Sequence, residues 1–176
     1  MNFEEKTVSS EEIYDGKIIK VRKEKVELPD GRLATRELIG HPGGVGIIAV
    51  DGDGKVFMVT QYRIAAKSEM LEIPAGKMEY GEDPWNVVQG SLLRKRDIRQ
   101  RNSHISANIT QHRDIVKKNL IFLARKLTFV GQNLDDGEFL NVSKYSLDEL
   151  YQMVMDNKIY DAKTAIAILK AKAILG

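Results

Sequence analysis

From Ile18 to Ile73 the chain is a succession of short β-rich runs parted by tight-turn signals, which commits its first half to a densely stranded sheet. Ile18 to Leu28 alternates as IIKVRKEKVEL, Pro29-Asp30-Gly31 supplies a turn, and Arg32 to Ile39 returns as RLATRELI, so an antiparallel hairpin is expected. Gly43 to Val50 and Val56 to Tyr62 are further β-rich runs around Asp51-Gly52-Asp53-Gly54, whose Asp-Gly pairs signal a tight turn. Met70 to Ile73 reads as a short strand stopped by Pro74. The sheet is expected to be mixed or antiparallel.

Helical signals come later. Glu82 and Asp83 precede Pro84, and Trp85, Val88, Leu92 and Leu93 fall near one face, so a helix should start at Pro84. Its interior is odd: Gly90 and Ser91 weaken it, and Arg94, Lys95, Arg96, Arg99 and Arg101 crowd one another with only Asp97 to offset them. Residues 102 to 119 are polar with scattered Ile and Val and no clear period. Leu120 to Val130 reads as a strand, Asn133 to Gly137 as a loop and Phe139 to Val142 as a short strand. Ser146 is a natural N-cap for one helix, and Asp161 opens a final one.

A chain of 176 residues with 43% hydrophobic and 30% charged residues can bury one sizeable core and is unlike a disordered chain. No run approaches the ~18 apolar residues of a membrane span. The start MNFEEKTVSSEE has neither the basic region nor the apolar run of a signal peptide, so a cytoplasmic location and no membrane partner are expected. With no Cys, disulfides, thiolate chemistry and Cys-based metal sites are excluded, and His41, His104 and His112 lack the spacing of a zinc helix. Any metal must be held by carboxylates, which favours Mg or Mn.

The net charge of +2 hides an uneven distribution. Residues 87 to 119 hold eight Lys or Arg against two Asp, so the remainder has 19 basic and 23 acidic residues, and no Glu occurs between Glu82 and Glu138. A run of this kind is either a solvated face or a nucleic-acid patch. It has neither interleaved aromatics nor a recognised module, so no nucleic acid is expected as a partner.

Pro74-Ala75-Gly76-Lys77-Met78-Glu79-Tyr80-Gly81-Glu82 resembles the opening of a Nudix box, G-x(5)-E-x(7)-R-E-U-x-E-E-x-G-U with U aliphatic, and Gly76 and Glu82 sit at the required spacing. More of the chain agrees in order: Val26 to Gly31, Arg36-Glu37, His41-Pro42-Gly43, Gln61-Tyr62-Arg63, Glu72 to Gly76, Asp135 to Phe139, and Tyr160 to Thr164. Together these are similar to the ADP-ribose pyrophosphatase branch of the Nudix hydrolases. The resemblance implies an α/β fold, a Nudix α/β/α sandwich with a mixed β-sheet and an N-terminal antiparallel β-hairpin extension. Residues 1–40 would form that extension and exchange across a homodimer, and residues 41–176 the Nudix domain, with 87–119 atypical.

Past Glu82 the box fails. The family Arg-Glu pair falls on Gly90 and Ser91, the two metal-binding Glu on Arg94 and Lys95, and the terminating Gly on Asp97. Cations in place of ligands repel Mg. The failure has the form of a shifted reading frame. Read one base off, the codons of Gln89-Gly90-Ser91 permit Arg then Glu, and those of Leu93 to Ile98 permit Glu-Glu-Thr-Gly-Tyr. Those of Ile109 to Lys118 permit Tyr-Thr-Ala-Pro-Gly-Tyr-Cys-Glu-Glu, similar to the branch's Tyr-Thr-Ser-Pro-Gly-Phe-Cys-Asp-Glu loop, and the register is regained near Asn119 without a change of length. Residues from about 87 to 119 are therefore expected to be an off-frame reading of an ordinary Nudix segment.

The resemblance also assigns roles. The reaction it implies is Mg- or Mn-dependent cleavage of ADP-ribose or a related nucleoside diphosphate sugar to AMP and a sugar phosphate, by water attack on the diphosphate. Glu82 and Glu72 are candidate metal carboxylates, against the alternatives of a helix-start acid and a solvated strand residue. Arg63 is the candidate diphosphate or ribose contact. Arg36 and Glu37 would reach the nucleotide from a partner subunit's hairpin, and Glu138, beside Asp135 and Asp136, is the candidate base. With the box glutamates missing, hydrolysis is expected to be impaired or absent, and the rival expectation is a non-catalytic nucleotide-binding or structural Nudix module.

Overall fold

The computed structural model describes residues 2–95, 103–111, 115–127, 137 and 139–176, with side chains among them except at 89, 91–95, 103–111, 115–118 and 126. The chain divides into two compact units, Met1–Gly43 with Thr110–Lys118 and Gly44–Ile109 with Asn119–Gly176.

In the first unit β1 (Lys6–Asp15) pairs antiparallel with β2 (Lys20–Glu27), and β2 pairs antiparallel with the beginning of β3 (Leu33–Asp51) from Glu27 opposite Leu33 to Lys20 opposite Gly40. The expected hairpin is therefore present. Gly31 adopts φ +82° at the turn, a value open to Gly at little cost, and the Asp30 carboxylate accepts from the Arg32 amide at 3.1 Å and from Arg32 Nε at 2.7 Å. β1 went unread in the sequence because all ten of its residues are exposed, so it has no buried face to impose an apolar alternation.

In the second unit β3 continues and pairs antiparallel with β4 (Val56–Arg63) and β6 (Ala75–Lys77), while β4 pairs antiparallel with β5 (Ser68–Glu72) and β9 (Asn141–Tyr145). α1 spans Pro84–Lys95, and α2 (Leu147–Met155) and α3 (Ala162–Leu175) close the chain. β7 (Ser103–Gln111) pairs with β8 (Ile115–Leu127), and β8 pairs with β3. Two runs expected as separate strands are one: β3 passes through Pro42 and through Gly43 at φ +101°, whose amide donates to His41 Nδ1 at 2.8 Å. The stretch from 102 to 119, in which no element was expected, supplies β7 and the start of β8. The alternation of Ile105, Ala107 and Ile109 is the signal that was there to read.

Alternate strand residues feed two cores. Val45, Ile47 and Ala49 of β3, Phe57 of β4 and Phe122 and Ala124 of β8 pack with Val87 and Val88 of α1. Ile48 and Val50, Val56 and Met58, and Ile121 and Leu123 pack instead with Leu150 of α2 and Ala167, Ile168 and Ala171 of α3. A period of two along three strands, buried on both faces, is what a sheet between helical layers requires. This is the expected α/β/α sandwich.

The helix starts follow the expected chemistry. Ser146 caps α2 in a reciprocal capping box with Glu149, and Asp161 caps α3 by accepting from the Thr164 amide at 3.0 Å. At α1 the residue before Pro84 does the capping: the Asp83 carboxylate accepts from the Trp85 amide at 2.9 Å.

Candidate functional site

Where β4, β5 and the start of α3 meet, four charged side chains share hydrogen bonds. Glu72 closes β5 with its side chain 2% exposed. Arg63, at the end of β4 and opposite Ser68 in the β4–β5 ladder, reaches along the strand and donates from Nε to Glu72 Oε1 at 2.6 Å and from Nη2 to Oε2 at 2.8 Å. This is the bidentate fork that suits guanidinium to carboxylate. Lys163 Nζ donates to the same Oε2 at 2.5 Å and to Asp161 Oδ2 at 2.7 Å.

The cluster closes on itself through the backbone. Asp161 Oδ2 also accepts from the Thr164 amide and hydroxyl, at 3.0 and 2.5 Å, and Thr164 Oγ1 in turn accepts from the amide of Ile73 at 3.0 Å. Ile73 is the neighbour of Glu72, so the path Glu72, Lys163, Asp161, Thr164, Ile73 is a ring. Two cations and two carboxylates balance, which is what lets charge reside so far from water. Burial pushes the Glu72 carboxyl up, but the hydrogen bonds and charges of Arg63 and Lys163 together outweigh it and hold the group below its ordinary range.

The structure thus brings Arg63 and Glu72 together. Glu82 stands in the turn after β6, where its Oε2 accepts from the Glu79 amide at 2.9 Å and its own amide donates to the Glu79 carbonyl at 3.2 Å. Arg36 lies in the N-terminal unit and donates to both carboxylate oxygens of Glu5, at 2.6 and 2.9 Å, while Glu37 is exposed opposite Lys23. Glu138, Asp135 and Asp136 lie outside the described residues.

Sequence reasoning took Asp161 for a cap and missed what Lys163 does. The signal was present: a Lys in the first turn of a helix opposes the positive end of the helix dipole, so it needs a carboxylate nearby. The cap Asp161 and the buried Glu72 are those carboxylates.

Residues 5–39 match the model of the nucleoside diphosphate sugar hydrolase N-terminal domain. The chain is 36% identical over 170 residues to an ADP-ribose pyrophosphatase of Bacillus subtilis (strain 168), covering 95% of this chain and 92% of that protein. It is 37% identical over 175 residues to the methanol dehydrogenase activator of Bacillus methanolicus, covering 94% and 91%. In fold it is similar to an ADP compounds hydrolase known from its crystal structure, with a TM-score of 0.84 at 15% identity over 99% of this chain and 96% of that one. With the opening of the box at Gly76 and Glu82 in place and likeness extending over nearly its whole length, the chain belongs to the Nudix hydrolases of the ADP-ribose pyrophosphatase type.

Proposed function

We propose that this chain carries a site for a nucleoside diphosphate sugar, with ADP-ribose as its representative, and that its hydrolysis of that ligand to AMP and a sugar phosphate is impaired. The observation that carries the reading is Arg63, whose side chain is 37% exposed and is oriented by a carboxylate that is 2% exposed. A partly exposed guanidinium backed by a buried carboxylate is suited to diphosphate oxygens, which it meets with parallel N–H donors. The names of the matched domain model and of the B. subtilis relative support the same ligand class.

The family reaction needs Mg or Mn, and the residues present do not fit that ion. A hard divalent cation takes several oxygen ligands turned to one point. Among the described residues no group of three or more His, Asp or Glu is so placed. Both oxygens of Glu72 are taken by Arg63 and Lys163, and Glu82 Oε2 is taken by the Glu79 amide. The box positions that carry paired Glu in the family hold Arg94 and Lys95 here. In this reading Arg63 binds, Glu72 orients Arg63, and Glu138 is kept as the candidate base on the attacking water. Arg36 and Glu37 are proposed to meet the nucleotide from the partner of a homodimer, and the protein is proposed to work in the cytoplasm.

The experiment is ADP-ribose titration by calorimetry alongside AMP release with Mg or Mn. Saturable binding with turnover far under the roughly 1 to 1000 per second of ordinary enzymes is expected. Turnover inside that range sinks the impairment and leaves the site. No binding sinks the site.

A further inference from the structure

An Asp-Gly step in a chain can rearrange without any enzyme. The Gly nitrogen closes on the side-chain carbon of the Asp, and the missing Cβ of Gly leaves that approach clear. The sequence has five such steps, at 15–16, 30–31, 51–52, 53–54 and 136–137, and the first four lie within the described residues. Ring closure makes two demands on a folded chain. The Asp carboxyl must be uncommitted, because it has to take up a proton and lose an oxygen as water, and the Gly amide must be able to turn onto it.

Three of the four steps fail these demands. Asp51 is buried, with Oδ1 bound to the amides of Asp53 and Lys55 at 2.9 Å and Oδ2 to Lys144 Nζ at 2.8 Å. Burial pushes its carboxyl up, but these partners prevail and hold it below its ordinary range, so the reactive neutral form is rare. Asp30 accepts from Arg32 Nε at 2.7 Å and from the Arg32 amide at 3.1 Å, which lower its carboxyl as well, and the Gly31 amide is spent on the Leu28 carbonyl at 2.9 Å. Asp15 pairs with Lys20 at 2.9 Å, and the Gly16 amide donates to the Ile19 carbonyl at 2.9 Å.

Asp53 differs on both counts. It is exposed between β3 and β4, and its carboxylate has no hydrogen bond or ion pair among the described residues. The Gly54 amide donates to the Asp51 carbonyl at 3.3 Å, longer than the amide contacts of Gly16 and Gly31 and so more easily given up.

We propose that Asp53–Gly54, in the β3–β4 turn, is a site of spontaneous isomerisation to isoaspartate. In the first step a bond forms between the Gly54 nitrogen and Asp53 Cγ, a Cγ–O bond breaks, and the amide proton leaves with the carboxyl oxygen as water, giving a cyclic succinimide. Water then adds to the ring carbonyl that belonged to the main chain, and its bond to nitrogen breaks. The main chain now runs through Cβ and Cγ, and the old main-chain carbonyl is a carboxylate on Cα. One water is lost and one regained, and no oxidant, metal or further reactant enters. The added main-chain atom falls inside the turn that the Asp51 amide closes on the Lys55 carbonyl at 2.9 Å, so the product disturbs the seat of Asp51.

The proposal is independent of the ligand site, and its test uses the unaltered chain. Folded protein is aged in warm neutral buffer beside a sample unfolded in guanidinium chloride, and both are then digested with trypsin. Asp15 and Asp30 fall in separate peptides and Asp51 and Asp53 in one, where electron-transfer fragmentation distinguishes isoaspartate from aspartate at each position. In the folded sample isoaspartate should accumulate several-fold faster at 53 than at 15, 30 or 51, and in the unfolded sample the four rates should converge. Formation at 53 no faster than at the other three in the folded chain overturns the proposal. So does the same ranking in the unfolded chain, because local sequence and not the fold would then select the site.

Discussion

Arg63 and Glu72 form a two-point ion pair across the β4–β5 ladder in which the anion is 2% exposed and the cation 37% exposed. The asymmetry has an energetic consequence. Neutralising Glu72 leaves Arg63 and Lys163 facing an amide, and taking one partner from a buried pair costs far more than the pair itself contributes. Arg63 can turn toward water, which reduces that cost. Glu72→Gln is expected to lower the unfolding free energy by about 2 kcal/mol, read from urea denaturation. A change inside about 0.5 kcal/mol, the usual size for a surface substitution, would show that the cluster does not contribute to stability.

Acid should dissolve the same pair. The Glu72 carboxyl is held below its ordinary value, with burial opposing and the two cations prevailing, and Asp51 is likewise lowered, with burial opposing and Lys144 and two backbone amides prevailing. A depressed native value means that the unfolded chain binds the proton more readily. The stabilisation is therefore complete above the unfolded carboxylate value and is lost as pH falls through the native one. The thermal midpoint should decline from about pH 5 downward, and Glu72→Gln should make that decline shallower. Two parallel profiles would assign the acid limb to other groups.

Asp51 anchors a second buried charge, and here the partners can be separated by mutation. Its Oδ1 accepts from the amides of Asp53 and Lys55, both at 2.9 Å, and its Oδ2 accepts from Lys144 Nζ at 2.8 Å. Lys144 also lies 4.7 Å above the Phe57 ring, tying β9 to β4. Asp51→Ala removes three bonds, two of them within the β3–β4 turn, and should cost about 2 to 3 kcal/mol, while Lys144→Met, whose ammonium is half in water, should cost about 1 or less. Calorimetric melting of both variants checks the order, and a Lys144→Met loss exceeding that of Asp51→Ala contradicts it.

How far the sequence could be read depended on whether a residue's reason is local. Ser146 caps α2 as expected, and Glu149 completes its capping box, because such a box is complete within four residues. The Pro29-Asp30-Gly31 turn and the β-rich runs on either side of Asp51-Gly52-Asp53-Gly54 were legible for the same reason: composition and turn chemistry sit in the chain itself. β1 was not legible, since an exposed strand carries no apolar period. The candidate site was half legible. Arg63 and Glu72 were named through the family motif, but the contact of Glu72 with Lys163 spans 91 residues, and no local pattern encodes such a distance. Only the misfit of a cation in the first turn of α3 hinted at it.

Gly46 of β3 pairs with Ala75, and a Cβ there would stand 2.7 Å from Ile73 Cδ1 and 3.9 Å from Ile121 Cγ1. Ile73 is fully buried, and its amide is the one that closes the ring through Thr164. A methyl at 46 must push the end of the Ile73 side chain into a filled core, so Gly46→Ala should cost about 1 to 3 kcal/mol. Ile73→Val removes the Cδ1 atom that clashes, at a loss of roughly 0.5 to 1.5 kcal/mol when made alone. If the clash is the cause, the two changes are not additive: the double variant should be at least about 0.5 kcal/mol more stable than the sum of the single losses predicts. Strict additivity in a urea double-mutant cycle would place the cost of Gly46→Ala in the β3 backbone, and Ile73 would then have no part in setting how closely β3 approaches β6.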